Sequence, residues 1–293
     1  MNQYLSGELG AVIQALMDSA VRISKTVITA GTGYAGTQNS YGEDQIEMDV
    51  LSEHILEEEL EKTGLVKGVG SEELDSIKDL GGAKYCVVFD PLDGSSLFDT
   101  NGAVGTIWGI FEDTDLVGKT PRDMVAAGYF MYGPRTTLMI SKGEGVTSEF
   151  RLMPSGEWEM AMEKITVGEG KLFAPGNLRA TQVRKDYLEL VTWWMENQYT
   201  LRYAGGMVPD VNTILVKGKG IFAYPGYEPK YPQGKLRLLF ECGPMAYVME
   251  NAGGAASDGS QSILDKRIDC IEQLSPIFIG STAEVKRCED SLS

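Results

Sequence analysis

A short apolar run at residues 85–88 (YCVV), followed at once by FDPLDGSS at residues 89–96, most constrains how this chain can fold. A run rich in β-branched and aromatic residues predicts a buried strand. Pro91 fixes its own φ and cannot donate a ladder hydrogen bond, so we expect the chain to leave the sheet there. The carboxylates of Asp90 and Asp93 then enter one loop, and the glycine and serines behind them offer donors to an anion. Carboxylates for a hard metal beside donors for a phosphate predict a metal-dependent phosphatase.

The net charge of the chain also indicates that the site needs a bound metal ion. The formal net charge is −16, which argues against nucleic acid or an anionic membrane surface as a partner, because both need a basic face. A phosphorylated substrate is itself an anion. Bound divalent cations and a few local basic residues would therefore have to reverse the field at the site.

Composition bounds the class of protein. The 293 residues are 43% hydrophobic and 23% charged, which is ordinary for a globular chain of one large domain or two fused halves. We find no apolar run long enough to span a membrane and no secretory signal at the N-terminus, so we expect a cytoplasmic protein, or a plastid protein if a transit peptide has been removed. The four cysteines show no CxxC pairing, which favours reduced thiols.

Periodicity predicts a layered mixture of helices and strands. The predicted helices lie at 7–29, 49–62, 186–197, 211–216, 244–250 and 283–290. The predicted strands lie at 85–88, 104–111, 125–132, 136–141, 150–153, 158–162, 236–240 and 277–280, with one more near Phe173. Residues 31–41 are predicted as a loop. A soft division near residue 165 gives halves 1–165 and 166–293 that form one compact unit.

Acidic residues at loops and element ends are the candidate site; they are Asp44, Asp49, Glu72, Glu73, Asp90, Asp93 and Glu241. Any single one of them is more often just a solvated side chain. Together in one site they would repel one another and raise each other's pKa values, and a divalent metal removes that repulsion. With oxygen ligands and His54 as the sole imidazole, Mg²⁺ or Mn²⁺ fits better than Zn²⁺.

Other phosphatase chemistries lack their residues. No cysteine is followed by the short loop and arginine of a thiolate phosphatase, and one histidine cannot serve as both phosphohistidine nucleophile and acid. An aspartyl-phosphate enzyme uses an Asp-x-Asp step, whereas Asp90 and Asp93 are three residues apart. Direct attack by a metal-activated water remains.

Several motifs together resemble the family of fructose-1,6-bisphosphatase and sedoheptulose-1,7-bisphosphatase. They are DPLDGSS at 90–96, SEE at 71–73, DVLS at 49–52, RYAGGM at 202–207 and KLRLLFE at 235–241. The resemblance extends from about residue 7 to near residue 265. It implies the layered αβαβα sugar-phosphatase fold, two or three Mg²⁺ ions per site with Mn²⁺ as a substitute, and a homodimer or homotetramer.

The resemblance also implies roles for individual residues. The metal-binding set would be Glu72, Glu73, Asp90, the Leu92 carbonyl, Asp93 and Glu241. Glu73 and Asp49 would orient and deprotonate the attacking water, and Asp44 would belong to a loop that completes the site. The substrate-binding set would be Asp93, Gly94, Ser95, Ser96, Asn177, Arg179, Arg202, Tyr203, Gly206, Met207, Tyr224, Lys235 and Arg237. Within it, Tyr203, Tyr224, Lys235 and Arg237 would contact the distal phosphate and the sugar, and Arg202 would reach across a subunit interface.

The resemblance leans towards the seven-carbon substrate. Fructose enzymes carry an Asn-Glu-Gly-Tyr segment that holds the distal phosphate, whereas this chain has FAPGNLRA at 173–180, similar to the sedoheptulose enzymes. Replacing a tyrosine hydroxyl by the Arg179 guanidinium lengthens the reach and allows bidentate phosphate binding. A fructose-specific or dual-specificity enzyme is the alternative, and a non-catalytic sugar-phosphate sensor is a remote one.

Two regulatory features of the family are not expected. The loop at 31–40 lacks the cysteines of the redox-switched plant enzymes, and only part of the N-terminal AMP site is present.

Overall fold

The computed structural model describes residues 3–31, 33–38 and 44–292, with the backbone alone at 34–38 and 44–46. Its helices are α1 (Gly7–Thr29), α2 (Glu47–Lys62), α3 (Ser95–Phe98), α4 (Lys185–Glu196), α5 (Met207–Lys217), α6 (Gly243–Asn251) and α7 (Thr282–Ser291). Short 3₁₀ turns lie at Pro121–Asp123, Leu178–Gln182 and Ile263–Asp265, and a π-helical turn lies at Leu238–Cys242.

The strands are β1 (Tyr34–Gln38), β2 (Asp44–Ile46), β3 (Val66–Ser71), β4 (Lys78–Asp79), β5 (Tyr85–Asp93), β6 (Val104–Phe111), β7 (Ala126–Tyr132), β8 (Thr136–Ser141), β9 (Thr147–Leu152), β10 (Trp158–Met162), β11 (Leu172–Pro175), β12 (Thr200–Leu201), β13 (Ile221–Tyr224), β14 (Leu236–Arg237), β15 (Ala255–Ser257), β16 (Leu274–Ser275) and β17 (Ile277–Gly280).

The strands form a larger and a smaller sheet. The larger sheet has the order β10-β9-β8-β7-β6-β5-β3-β4 and is antiparallel except where β3 pairs with β5. The smaller sheet has the order β12-β11-β13-β17-β15, with β11 parallel to both of its neighbours. Two short antiparallel pairs, β1 with β2 and β14 with β16, lie apart from these sheets.

Helices and sheets alternate in five layers. Helices α1 and α2 pack on one face of the larger sheet, and α5 and α6 contact both its other face and the smaller sheet. Helices α4 and α7 pack together, and α7 contacts strands β15 and β17 of the smaller sheet. The order is therefore helix, sheet, helix, sheet, helix, which confirms the predicted αβαβα architecture.

Strand β5 is buried along its whole length and serves two of these layers. Val87 and Phe89 belong to the apolar cluster under α1 and α2, whereas Cys86 and Val88 belong to the central cluster around α5 and α6. This alternation follows from the two-residue period of a strand. The alternation explains why residues 85–89 are apolar at every position and not only at every second one.

Most predicted elements are confirmed, but several differ from the prediction in their bounds or their type. Strand β5 continues through Pro91 to Asp93, because a β-bulge accommodates the proline. Asp90 pairs with Ile107 and Asp93 with Gly105, so three residues of advance along β5 match two along β6. The predicted strand 236–240 ends at Arg237 and becomes a π-helical turn. The predicted loop 31–41 contains β1, and residues 32 and 39–43 lie outside the described chain. The helix predicted at 211–216 begins four residues earlier, at Met207.

The central apolar cluster joins residues from both sides of residue 165. It includes Val88 and Ile107 from the first half and Val208, Phe222 and Phe240 from the second. The proposed division near 165 therefore separates two stretches of sequence that share one core.

Candidate functional site

Hydrogen bonds fix the bulge at the end of β5. The Leu92 N–H donates to Asp90 Oδ1 at 2.9 Å, and the Thr106 hydroxyl donates to the Pro91 carbonyl, also at 2.9 Å. Asp90 is only 6% exposed. A bulge re-aims side chains within a ladder, and this one takes the place of the strand exit that the sequence analysis predicted at Pro91.

Three carboxylates from distant parts of the chain meet next to this bulge. Glu72 follows β3, where its N–H donates to the Phe89 carbonyl at 3.2 Å, and Glu241 lies in the π-helical turn. Carboxylate oxygens of Glu72, Asp90 and Glu241 all lie within 4.8 Å of one another. We call these three residues the acidic cluster.

The electrostatics of the acidic cluster are unfavourable without a counter-ion. Burial raises the pKa of Asp90 well above its ordinary value, and the carboxylates of Glu72, Asp93 and Glu241 raise it further. The pKa of Glu241 is also raised, first by burial and then by Glu72. Carboxylate oxygens that lie this close together are suitable ligands for Mg²⁺ or Mn²⁺. A divalent cation would offset both the cost of burying the negative charges and their mutual repulsion. The cluster could therefore hold such an ion.

Asp93 has a different environment, because it faces the start of α5. The N–H groups of Met207 and Val208 donate to its two oxygens at 3.1 and 2.6 Å. Burial raises the pKa of Asp93 to about 6, although these two hydrogen bonds act in the opposite direction. The side chain thus joins the first half of the chain to the second.

Arg237 lies beside the acidic cluster. Its backbone N–H donates to the Glu241 carboxylate, and its Nε lies 3.8 Å from Glu72 Oε1. The residue is 7% exposed and does not line the cavities described below. The guanidinium therefore lies near Glu72, directly before the π-helical turn that carries Glu241.

A cavity of about 280 Å³ opens over the acidic cluster. Most of the predicted site residues line it, namely Asp49, Glu72, Glu73, Asp90, Leu92, Asp93, Gly94, Ser95, Ser96, Tyr203, Gly206, Met207, Tyr224, Lys235 and Glu241. Gly94 has a φ of 80°, a left-handed conformation that favours glycine, and there the chain turns from β5 into α3. The fold thus brings residues from five separated motifs to one place.

A second cavity, of about 380 Å³, adjoins the first; we call it the distal cavity. Tyr203, Tyr224 and Lys235 line both, so the two cavities adjoin along a shared wall. Asn177 and Arg179 line the distal cavity, as does Tyr231, which the sequence analysis did not select. Burial raises the pKa values of Tyr203 and Tyr224 to about 12, so both hydroxyls are protonated donors at neutral pH.

The residues predicted to activate water lie at the acidic end of the first cavity. Asp49 occupies the first turn of α2 and is 6% exposed. The Glu73 N–H donates to the Ser71 hydroxyl at 3.2 Å. Asp44 is the first residue of β2, and its side chain lies outside what the structure describes. Arg202 is exposed, its guanidinium donates to the Leu201 carbonyl, and it does not line the described cavities.

The sequence analysis also missed two buried carboxylates near these residues. Glu53 lies one turn beyond Asp49 on α2, and burial raises its pKa to about 7, with contributions from Glu57 and Glu73. Asp210 lies in the first turn of α5 and is 2% exposed. The helix that carries Asp210 was predicted to start at residue 211, so its acidic first turn gave no signal.

Comparison with known proteins agrees with this architecture. The family models described as fructose-1-6-bisphosphatase N-terminal domain and C-terminal domain match residues 1–163 and 166–293. A chloroplastic sedoheptulose-1,7-bisphosphatase of Triticum aestivum is 44% identical over 281 residues, which cover 94% of this chain and 71% of the relative. A class 1 fructose-1,6-bisphosphatase of Geobacter metallireducens is 43% identical over 297 residues, covering 100% of this chain and 93% of the relative.

A solved structure gives the same result. The holo form of Leishmania major fructose-1,6-bisphosphatase superposes with a TM-score of 0.92 at 31% identity, covering 98% of this chain and 94% of the other. Within the described residues, no helix has the length and apolar character that crossing a membrane requires. The predicted family, fold and enzyme class are confirmed. The chain belongs to the fructose-1,6-bisphosphatase family of sugar bisphosphatases, which are phosphoric monoester hydrolases.

Proposed function

We propose that this chain hydrolyses the 1-phosphate of sedoheptulose 1,7-bisphosphate, giving sedoheptulose 7-phosphate and inorganic phosphate, in a reaction that depends on Mg²⁺. The observation that carries the proposal is that the two cavities adjoin. A cavity over the acidic cluster, suited to a metal, shares three lining residues with the distal cavity, which Arg179 and Lys235 line. A substrate with a phosphate at each end of a sugar matches that arrangement.

The acidic end supplies the chemistry in this proposal. Glu72, Glu73, Asp90, Asp93, Glu241 and the Leu92 carbonyl would hold the metal. When bound, Mg²⁺ would neutralise charge on the phosphoryl group and lower the pKa of water. Every one of these residues lines the first cavity, and three of them bring carboxylate oxygens within 4.8 Å of one another.

The protein's own groups move the proton. A water attacks phosphorus, the bond from phosphorus to the sugar oxygen breaks, and that oxygen leaves with the electron pair and takes up a proton. Glu73 and Asp49 orient the water and accept its proton. Gly94, Ser95 and Ser96 hold the departing phosphate with backbone and hydroxyl donors, and Gly206 and Met207 border the same space.

Binding at the other end selects the sugar. Tyr203, Tyr224 and Lys235 contact the sugar and the distal phosphate, and Asn177 shapes the wall because its amide donates to the Pro225 carbonyl at 2.8 Å. Arg179 is exposed on the rim of the distal cavity, where a guanidinium can reach a more distant phosphate. The exposed Arg202 supports a homodimer or homotetramer in which it extends towards a partner subunit.

Phosphate release from both bisphosphates, with Mg²⁺ and with chelator, tests the proposal. We expect kcat/KM to be higher for sedoheptulose 1,7-bisphosphate than for fructose 1,6-bisphosphate, and chelation to abolish both activities. Turnover that persists in chelator contradicts the metal requirement. Tight binding without phosphate release supports a sensor instead.

Fructose 1,6-bisphosphate is the second candidate substrate, since relatives of about the same identity carry either name. The Arg179→Tyr variant separates the two. Losing the long guanidinium should lower the ratio of kcat/KM for the seven-carbon over the six-carbon substrate by roughly 3- to 10-fold, the effect of about one charge-assisted hydrogen bond at an exposed site. Arg184→Tyr, at an arginine that lines neither of the two cavities, is the control. An unchanged ratio in Arg179→Tyr contradicts the proposed role of the rim.

A further inference from the structure

Asp210 binds a loop rather than its own helix. Its side chain, 2% exposed, accepts the Ala204 N–H at 2.6 Å and the Gly205 N–H at 3.1 Å, one on each carboxylate oxygen. Two backbone donors on one buried carboxylate form a charge-assisted, nearly bidentate contact, which is stronger and more directional than a neutral hydrogen bond.

The loop held in this way carries a wall of both cavities. Tyr203 directly precedes the two bound N–H groups, and Gly205 lines the first cavity itself. Gly205 has a φ of 105°, so the loop passes through a backbone conformation that other residues rarely adopt. Tyr203 is 46% exposed. The contact with Asp210 fixes the backbone next to Tyr203 and so restricts where its ring can lie.

The first turn of α5 lies between two carboxylates. Asp93 accepts hydrogen bonds from Met207 and Val208 on the side of the acidic end, and Asp210 extends from the same turn to the loop. The first turn of α5 therefore helps to position both the proposed metal site and the loop that lines the distal cavity. Burial raises the pKa of Asp210 to about 6, which leaves the carboxylate ionised above neutral pH and able to accept both donors.

We propose that Asp210 is a positioning residue that sets the affinity for the distal phosphate, by holding the loop at 202–206 and with it Tyr203. The inference rests on the proposed sugar-bisphosphatase function and deepens it. It assigns to a residue that touches neither end of the substrate a control over binding that is separate from the chemistry at the acidic end.

The Asp210→Asn variant tests this inference. An asparagine can accept only one of the two N–H groups, and its amide nitrogen then opposes the other donor. We compare kcat/KM for fructose 1,6-bisphosphate with kcat/KM for fructose 1-phosphate, which lacks the distal phosphate. The ratio should fall roughly 10- to 100-fold, the range for hydrogen bonds to charged groups, with most of the change in KM for the bisphosphate.

Asp258→Asn is the matched control. Asp258 also accepts two backbone N–H groups, from Ser260 and Gln261, and lies in the same half of the chain, but it lines neither of the two cavities. This variant should keep the wild-type ratio within about twofold, even if the contact is as important for folding.

Gly205→Ala reaches the same loop without changing a charge. A Cβ at a φ of 105° strains the backbone, so the substrate ratio should fall in the same direction. This variant also decides the question if Asp210→Asn does not fold. The inference is overturned if folded Asp210→Asn keeps the wild-type ratio. If Asp210→Asn does not fold, a wild-type ratio in Gly205→Ala overturns it. So does an equal loss on both substrates, because it would place the effect at the acidic end.

Failure of the proposed function would look different. In that case the wild-type chain itself releases no phosphate from either substrate. Calorimetric binding of fructose 6-phosphate, which carries only the distal phosphate, then reads the inference directly. The dissociation constant should rise in Asp210→Asn and not in Asp258→Asn, and equal values in wild type and Asp210→Asn overturn it.

Discussion

The acidic end and the distal end of the proposed substrate site differ in how far their side chains are buried. Asp90 and Glu241 are 6% and 5% exposed and are held by a strand bulge and a π-helical turn. Tyr203, by contrast, is 46% exposed, and Arg179 and Lys235 are exposed in or beside loops. Asp90 and Glu241 are thus fixed within regular elements, whereas Tyr203 and Lys235 lie in irregular segments, which vary more readily. Within this architecture, specificity can change without disturbing the proposed metal site.

The strongest challenge to this comparison is loss of one carboxylate from the acidic cluster. Glu72→Gln removes a charge with little change in shape, so we expect kcat to fall by roughly 10³-fold or more, the loss of several kcal/mol of electrostatic stabilisation. Phosphate release measured against Mg²⁺ concentration tests it. Glu284→Gln is the control, because that buried carboxylate binds Trp194 and Tyr199 far from the cluster. A Glu72→Gln enzyme of normal activity would contradict the proposed metal site.

A charge removed from the distal end should have a smaller and different effect. Lys235→Met keeps the length of the side chain but not its cation, so we expect KM to rise about 10-fold while kcat changes less than about threefold, since exposed charges are screened. Steady-state kinetics at two ionic strengths measure both. Lys171→Met is the matched control: Lys171 is exposed, its amine donates to the Asn197 carbonyl at 3.1 Å, and it lines neither of the two cavities. A fall in kcat with KM unchanged would reverse the assignment of the two ends.

The smallest expected effect concerns stability. Burial raises the pKa of Asp93 to about 6 and also raises those of Asp90 and Glu241, so the folded state binds these protons more tightly than the unfolded state does. Their contribution to stability is complete below the unfolded pKa, near 4, and is lost as the pH rises through the folded values. The thermal midpoint of the metal-free protein should therefore fall between about pH 4 and pH 7, by about 2–4 °C for each kcal/mol lost.

Magnesium should reverse that loss where the carboxylates are ionised. We expect Mg²⁺ to raise the thermal midpoint more at pH 8 than at pH 5, as measured by differential scanning fluorimetry. The same titration on Glu72→Gln should give a smaller shift at pH 8. Equal Mg²⁺ shifts at both pH values in the wild-type protein would show that the acidic cluster is not the source.

The two ends also differ in how well the sequence predicts them. DPLDGSS is contiguous and follows a buried strand, so Asp90 and Asp93 could be placed at one site from local pattern alone. The segment that carries Glu241 was predicted wrongly as a strand, because a short, mostly apolar run such as LRLLF does not distinguish a strand from a helical turn. Asp210 was missed because its partners, Ala204 and Gly205, are defined only once α5 is in position.

The hydrogen bonds from Met207 and Val208 to Asp93 have a consequence for biosynthesis. While the chain is still on the ribosome and only its first half has emerged, the motif at 90–96 is present but Asp93 has no helix to bind, and Glu241 has not been translated. A nascent chain therefore has an incomplete acidic cluster and an unsupported carboxylate beside it. We therefore expect hydrolysis only after α5 has been synthesised and has docked on Asp93, and after the turn that carries Glu241 has formed.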